Sequence, residues 1–358
     1  MTTRYTIDVI ASCAFGLKVD SQTVDSPFYV NSRRITKFSL WGIMKILFYR
    51  FLPSVAEMLK LQVAQSEPSK FFTDMVISTM KNREKNHIIR NDMINILLEV
   101  KKGQLKHETS NADADAGFAT VQESSIGKKQ HNFEWTDMDL VAQAVTFLLA
   151  GIDTVSTAMS FLLYELAINP DVQERLAQEI REYEAKNGGI FDYNSIQNLP
   201  YLDMVVSEGL RLWPAASVIN RLCVKDYNIG RPNSEATKDL IMRKGEHIII
   251  PIWAIHRDPR LFPDPLKFDP ERFSPENRGK IQPLTYMPFG SGPRNCIGSR
   301  FALCELKVML YQFLREMEMY PCEKTCIPAE MAKNGFSMTL KGDTWVGLRV
   351  RPEKIAQN

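Results

Sequence analysis

Met287-Pro288-Phe289-Gly290-Ser291-Gly292-Pro293-Arg294-Asn295-Cys296-Ile297-Gly298-Ser299-Arg300-Phe301-Ala302-Leu303 carries the densest chemical signal in the chain. A glycine-rich loop runs straight into an amphipathic pattern that continues to about Met317, so Cys296 is expected at a helix N-terminus. Unpaired amides and the positive end of the helix dipole favour a thiolate there, the form of cysteine that binds metal. Gly290, Gly292 and Gly298 let the backbone approach a bulky group, and Arg294 puts a guanidinium near the sulfur, where an acidic group would meet it. The segment is composed to hold a flat, anionic metal complex. Two competing readings fit less of it. A phosphate-binding loop would end in Lys-Ser/Thr, and a redox-active cysteine leaves Phe289 and the three glycines unexplained.

The chain around this segment has the length and apolar content for a large core, with 358 residues, 44% hydrophobic and 24% charged. That excludes a disordered or collagen-like chain. With 44 Lys+Arg against 42 Asp+Glu and a net charge of +2, no basic block is long enough to follow a phosphate backbone, so nucleic acid is not an expected partner. Cys13, Cys223, Cys296, Cys304, Cys322 and Cys326 form no regular framework and read as free thiols of a reduced interior. Cys322 and Cys326 make a C-x3-C pair, but no second pair follows, and His87, His107, His131, His247 and His256 are scattered, so no zinc site is expected. A nucleophile elbow and a G-x-G-x-x-G between strand and helix are both missing, which removes Ser/His/Asp hydrolysis and dinucleotide binding.

Apolar positions recur at helical spacing over residues 1–102 and 136–214, and short β-like runs follow at 222–229, 247–253 and 345–350. The expected architecture is a large helical body with small sheets. Residues 103–132 are polar and poor in aliphatics, which predicts a long mobile loop. Thr136 and Asp139 have the spacing of a capping box, opening a helix that meets no breaker before Asn169-Pro170, about 33 residues or roughly 50 Å at ~1.5 Å per residue. Within it Ala150, Thr154 and Ala158 fall at i, i+4 and i+8 with Gly151 beside them, a smooth stripe against which another helix or a flat cofactor could lie. Asp153 sets a carboxylate among Leu148, Leu149, Ile152 and Val155, where it is costly without a partner. The charges of the helix over Pro170–Asn187 read as a solvated face, and Glu208 and Arg211, three apart on the helix over 201–213, can pair. Residues 38–61 interleave aromatic and aliphatic side chains with Lys45, Arg50 and Lys60. They read either as a segment lying at a membrane surface or as two core-packed helices broken at Pro53, and they are too interrupted for a span of ~18–20 apolar residues. The first ten residues have no charged n-region, long apolar run or cleavage site, so no signal peptide is expected.

Four separated motifs, in one order, resemble the cytochrome P450 family. Phe289-Gly290-Ser291-Gly292-Pro293-Arg294-Asn295-Cys296-Ile297-Gly298 is similar to its haem-binding loop, and Glu208-Gly209-Leu210-Arg211 to the E-x-x-R of its K helix. Pro270-Glu271-Arg272-Phe273 resembles the segment whose arginine completes that ion network, and Ala150-Gly151-Ile152-Asp153-Thr154 the oxygen-activating stretch of its I helix. The likeness runs from the first residue to the last. Its details are similar to insect microsomal members, Tyr201-Leu202-Asp203-Met204-Val205-Val206-Ser207 ahead of the E-x-x-R included. It implies a mainly α fold with small β-sheets and one cytochrome P450 domain over residues 1–358, opening at the family's E helix without the N-terminal third, the membrane anchor and the first helices.

The resemblance also implies haem b (iron-protoporphyrin IX) as cofactor. Cys296 would be its axial thiolate and metal ligand, Arg294 and Arg221 would meet its propionates, and Phe289, Gly290, Gly298, Ala150 and Gly151 would surround it. Asp153 and Thr154 would deliver protons through water during oxygen activation, while Glu208, Arg211 and Arg272 would hold the fold around the haem. Apolar side chains over 145–149, 215–219 and 336–338 would meet a small lipophilic substrate. Implied partners are NADPH–cytochrome P450 reductase, cytochrome b5 and a membrane surface, at the cytosolic face of the endoplasmic reticulum. The expected function is a haem-thiolate monooxygenase acting on xenobiotics or on endogenous lipids, hormones or pheromones. Two alternatives stay open: a truncated, non-catalytic haem-binding remnant, and a haem-thiolate isomerase or dehydratase that needs no reductase, against which the Asp153-Thr154 pair speaks.

Overall fold

Helical spacing of apolar residues governs most of the chain, and the computed structural model describes residues 1–36, 40–59, 61, 66–103, 117–121, 134–332 and 338–351. Two compact units result, one of Met1–Asp113 with Lys128–Thr157, the other of Ala114–Gly127 with Ala158–Asn358. The mobile loop expected over 103–132 falls mostly outside the described residues; residues 117–121 within it are placed, as part of the second unit.

The first unit contains α1 (Thr2–Phe15), α2 (Pro27–Thr36), α3 (Leu40–Phe51), α4 (Pro53–Met58), α5 (Ser66–Asn86), α6 (Met93–Lys101) and the larger part of α7 (Asp137–Ile168). Its core joins Ile7, Phe15, Phe28, Phe72, Ile94, Leu140 and Leu148, with the rings of Phe15 and Phe28 and of Phe28 and Phe72 meeting edge-on at 5.7 and 5.6 Å. Each such side chain contributes about 1.5–3 kcal/mol by leaving water. α1 ends at Gly16, whose φ of 69° is left-handed and whose missing side chain admits a buried ion pair: a Cβ there would stand 2.6 Å from Arg83 Nη2 and 2.9 Å from Asp92 Oδ2. Arg83 and Asp92 meet at 2.6 Å, and Asp92 also caps α6 by accepting the Asn95 N–H at 3.1 Å. Arg83 Nη2 also reaches Phe15 O at 3.5 Å, so the ion pair ties α1, α5 and α6 together.

The capping box at the head of α7 forms, since Thr136 N–H donates to Asp139 Oδ2 at 2.9 Å and Asp139 N–H to Thr136 Oγ1 at 3.2 Å. By length and composition α7 could cross a membrane, but half of its most apolar window is buried inside the molecule, as in the core helix of a globular domain. Pro53 divides α3 from α4. One face of this segment is open, with Trp41, Phe51 and Met58 68%, 72% and 73% exposed and Met44, Leu52 and Leu59 open beside them, while Ile43, Ile46, Phe48 and Tyr49 are half-buried and Ala56 is buried.

The second unit adds α8 (Pro170–Asn187), α9 (Tyr193–Gln197), α10 (Pro200–Leu212), α11 (Ile252–Ile255) and α12 (Ser299–Glu316). Three antiparallel pairs complete it: β1 (Ile219–Leu222) with β4 (His247–Ile250), β2 (Tyr227–Gly230) with β3 (Leu240–Met242), and β5 (Met317–Tyr320) with β6 (Gly347–Val350). Arg221 sits opposite Ile248, and Met319 opposite Leu348. The run expected as one strand over 222–229 is split between β1 and β2, because Asp226 turns the chain by accepting the Lys244 N–H at 2.9 Å and Arg243 Nη1 at 2.8 Å. β5 starts at the residue where the helix was expected to end, with Gln173 bonding both the N–H and the C=O of Met319.

α10 is buried along nearly its whole length, and Leu176 and Ile180 of α8 and Leu306 and Leu310 of α12 are buried in the same unit. Glu179 of α8 receives the Tyr201 and Leu202 N–H groups at 2.8 and 2.9 Å, supplying acceptors for donors that the first turn of α10 leaves unmet. Trp213 ends the helix in an aromatic cluster, stacked on Phe161 at 4.3 Å and edge-on to Trp253 at 5.6 Å. Its indole N–H donates to Glu165 at 2.7 Å, and Arg257 lies over both indole rings.

Candidate functional site

The cysteine loop is closed by its own backbone. Phe289 O accepts the Cys296 N–H at 2.9 Å, Met287 O the Gly290 N–H at 3.0 Å, and Gly292 O the Asn295 N–H at 3.0 Å. Gly290 and Gly292 supply left-handed turns with φ of 75° and 80°. Gly290 also lets the loop approach β1, since a Cβ would stand 3.1 Å from Ile219 Cδ1, on the strand that carries Arg221. Gly298 is the N-cap of α12, with open space where a side chain would be. Cys296, Arg294 and Ile297 are exposed, Ile297 at 83%, and Phe289 is half-buried. Arg294 makes no ion pair among the described residues, and Arg221 spends Nη1 on the neighbouring Asn220 O at 2.9 Å.

The expected preference for a thiolate is not met by the polypeptide alone. Although Cys296 as a residue is open to solvent, the surrounding loop desolvates its sulfur enough to push the thiol above the ordinary value, and the Gly298 amide pulls the other way with less force. The physical reason is position: Cys296 stands two residues before the N-cap, and the dipole effect fades beyond the first turn.

Glu208, Arg211 and Arg272 are brought together. Arg211 Nε and Nη2 reach Glu208 Oε2 and Oε1 at 2.6 and 2.8 Å, both side chains fully buried, and its Nη1 donates to His256 O and Pro265 O at 2.8 and 2.9 Å. Glu208 Oε1 also accepts the Asp269 N–H at 2.8 Å and lies 3.4 Å from Arg272 Nε. A forked pair whose remaining guanidinium donors meet backbone carbonyls, and whose carboxylate also takes the Asp269 N–H, offsets the cost of burying two charges, and it fastens α10 to the segment 256–272.

His256, which sequence reasoning counted only among scattered histidines, links this network to the cysteine loop. Its Nδ1 lies 3.1 Å from Arg211 O, and its Nε2 lies 2.9 Å from the Met287 N. A carbonyl can only accept and an amide can only donate, so the ring is neutral, protonated at Nδ1 and bare at Nε2. Burial agrees, lowering its pKa to about 4 from 6.5, with the nearby Arg211 and Arg257 charges adding to the effect. Tyr286 stacks on the ring at 5.5 Å and donates its buried hydroxyl to Ser207 O at 2.9 Å. No spacing marks His256; the one available hint was an imidazole following the apolar run Ile252-Trp253-Ala254-Ile255, which needs partners if it is buried.

On α7 the expected stripe is divided. Ala150 and Thr154 are exposed together with Ala142 and Thr146, whereas Ala158, the next residue of the stripe, is buried in the second unit. A Cβ at Gly151 would stand 3.0 Å from Ile10 Cδ1, so the glycine admits α1 against α7. Thr154 Oγ1 donates to Ala150 O at 2.6 Å. Asp153 is half-buried, and desolvation raises its carboxyl pKa against a smaller downward pull from Arg33.

A Cytochrome P450 family profile matches residues 1–345. The chain belongs to the cytochrome P450 family. It is 44% identical over 352 residues to Cytochrome P450 9e2 of Blattella germanica, covering 98% of this chain and 62% of that protein. Similar figures hold for Probable cytochrome P450 9f2 of Drosophila melanogaster, 39% over 348 residues with 97% and 63% covered, and for Cytochrome P450 3A29 of Sus scrofa, 35% over 344 residues with 94% and 61% covered. The chain thus spans a little over three-fifths of the length of these curated relatives.

Family membership implies a haem cofactor, and the second unit fits one. Among the described residues no three His, Cys, Asp or Glu side chains gather to chelate a metal, so a metal at Cys296 needs its other ligands from a prosthetic group. The loop offers one soft sulfur donor, open space at Gly298, an exposed apolar Ile297 and an Arg294 cation with no ion pair among the described residues, which suit an apolar macrocycle with acidic edges. Ala150, Gly151, Asp153 and Thr154 belong to the first unit or its share of α7.

Proposed function

We propose that this chain is the haem-binding part of a thiolate-ligated monooxygenase that inserts one atom of O2 into small lipophilic molecules. The observation that carries the reading is the loop over 287–298: a cysteine held by its own backbone, flanked by glycines and preceded by the exposed Arg294. Haem b, bound there, would supply the oxygen-activating chemistry, and a coordinated metal deprotonates a thiol outright, which removes the upward push on Cys296. Arg294 and Arg221 would pair with the propionates, Phe289, Gly290 and Gly298 would flank the sulfur, and Ala150 would leave room for a flat group.

The proton path falls to Asp153 and Thr154. Thr154 gives its hydroxyl hydrogen to Ala150 O, so its oxygen is left to accept from a water. Asp153, with its pKa raised, holds a proton closer to neutral pH than an exposed aspartate does, and can pass it to that water. Glu208, Arg211 and Arg272 act by fixing the backbone around the cysteine loop. Substrate would be met at 145–149 and 215–219, where Phe147 and Val218 are exposed; of the third segment, 336–338, only Met338 lies inside the described residues.

Electrons would come from NADPH through NADPH–cytochrome P450 reductase, with cytochrome b5 as a second donor, at the cytosolic face of the endoplasmic reticulum. Support for a membrane surface comes from the open apolar face of α3 and α4, with Lys45 Nζ 6.0 Å from the Trp41 ring. Xenobiotics and endogenous lipids, hormones or pheromones are the substrate classes in question.

The test is the carbon monoxide spectrum of the reduced, haem-loaded chain, followed by NADPH-dependent product formation with added reductase. The red-shifted band of thiolate ligation is expected in the parent and lost in Cys296→Ser. Thr154→Ala is expected to keep the band and divert electrons to peroxide. An identical spectrum in parent and Cys296→Ser overturns the reading; a thiolate spectrum without turnover favours the non-catalytic remnant.

A further inference from the structure

One apolar pentapeptide, Gly117-Phe118-Ala119-Thr120-Val121, interrupts the polar stretch between α6 and α7, and its seat in the second unit is specific. Gly117 lies directly on an ion pair. With φ of +119°, a Cβ there would stand 1.8 Å from Asp203 Oδ1 and 3.0 Å from Lys307 Nζ, so no side chain fits. Asp203 of α10 and Lys307 of α12 meet at 2.9 Å, and the lysine side chain is only 2% exposed. The other carboxylate oxygen, Oδ2, accepts the Phe118 N–H at 2.9 Å, an extra partner that a desolvated charge needs. The Phe118 ring meets Phe273 at 5.2 Å and Tyr286 at 5.5 Å, Ala119 is buried, and Thr120 N–H closes the turn on Gly117 O at 2.9 Å.

Tyr286 carries this contact onward. It is anchored to α10 through Ser207 O, stacks on His256, and immediately precedes Met287, whose N–H is held by His256 and whose C=O closes the cysteine loop on Gly290. We propose that residues 117–121 are an internal docking segment that positions the loop carrying Cys296, with Phe118 as the positioning residue. The docking stands on the contacts above; its consequence for haem retention rests on the function proposed for the loop.

The test is hydrogen exchange of the peptide over 284–297 in the haem-free chain, compared with peptides from α8 and α12. Gly117→Val, which drives a side chain into Asp203, and Phe118→Ala are each expected to speed exchange over 284–297 by roughly tenfold, as loss of an aromatic contact implies. Peptides from α8 and α12 should keep the parent's rates, and Phe118→Tyr, which retains the ring, should restore protection. Unchanged exchange over 284–297 in both variants, or uniform acceleration throughout α8, α10 and α12, overturns the positioning role. In haem-loaded protein, Phe118→Ala is expected to release haem to apomyoglobin faster than the parent. A parent that binds no haem overturns the proposed function, and the exchange result still decides the docking.

Discussion

Replacing His256 by Phe keeps a ring against Tyr286 but strips the Met287 amide and the Arg211 carbonyl of their side-chain partner. Two buried polar groups left unmet cost about 1–3 kcal/mol each, so a loss of about 2–6 kcal/mol in unfolding free energy is expected at pH 7.5. The loss should shrink in acid. The folded imidazole has its pKa lowered to about 4 against 6.5 unfolded, so between those values the unfolded chain binds more protons and the parent gains stability as pH rises. Below pH 4 that contribution, about 3 kcal/mol for a shift of this size, is gone from the parent. The variant never had it. Glu165 and Glu305, raised by burial to about 7 and about 8, tilt the parent's own profile the opposite way, since stability falls as pH rises through their windows. Subtracting variant from parent removes both. Urea unfolding of the two proteins at pH 4.5, 6 and 7.5 therefore should give a difference that grows with pH. A difference of the same size at pH 4.5 and 7.5 would refute the assignment of a neutral, Nδ1-protonated His256.

Glu208→Ala strands Arg211 in a fully buried setting and should cost about 3–5 kcal/mol, visible as lost soluble yield and a lowered urea midpoint. Burial raises Glu305 to about 8 and its Oε1 atom has no hydrogen-bond partner among the described residues, so Glu305→Gln should stabilise the protein by on the order of 1–3 kcal/mol at pH 8.5, with the gain vanishing below about pH 4.5, as thermal unfolding across that range would record. Gly16→Ala should lower the urea midpoint by an amount worth about 1–3 kcal/mol, because the new methyl both strains a left-handed residue and presses on Arg83 Nη2; an unchanged midpoint would mean that the ion pair moves aside without cost.

Much of the helical body was legible because its cause is periodic: the limits of α8 and α10 and the capping box of α7 follow from proline, Thr136 and Asp139 together with 3.6-residue spacing. The cysteine loop was legible because its glycines and Arg294 are contiguous. What escaped is long-range. Residues 117–121 hide two anchoring residues in a polar average, and only Asp203, 85 residues away from Phe118, explains them. The approach of Ile10 to Gly151, too, joins residues about 140 positions apart. His256 works through two backbone groups, Arg211 O and Met287 N, which leave no trace in side-chain spacing. β5 continues an apolar pattern that α12 had already set, and its strand character comes from Gln173 and β6.

The Trp213–Trp253 contact gives the second unit an optical gauge of its own. Two indoles at 5.6 Å couple their excited states, and Arg257 over both rings makes their emission sensitive to any loosening there. A circular-dichroism couplet from this pair would vanish on melting of the second unit while Trp41, exposed on α3, keeps a solvent-like emission throughout. Stopped-flow traces at two wavelengths could then time the collapse of the cysteine-bearing half without any added label.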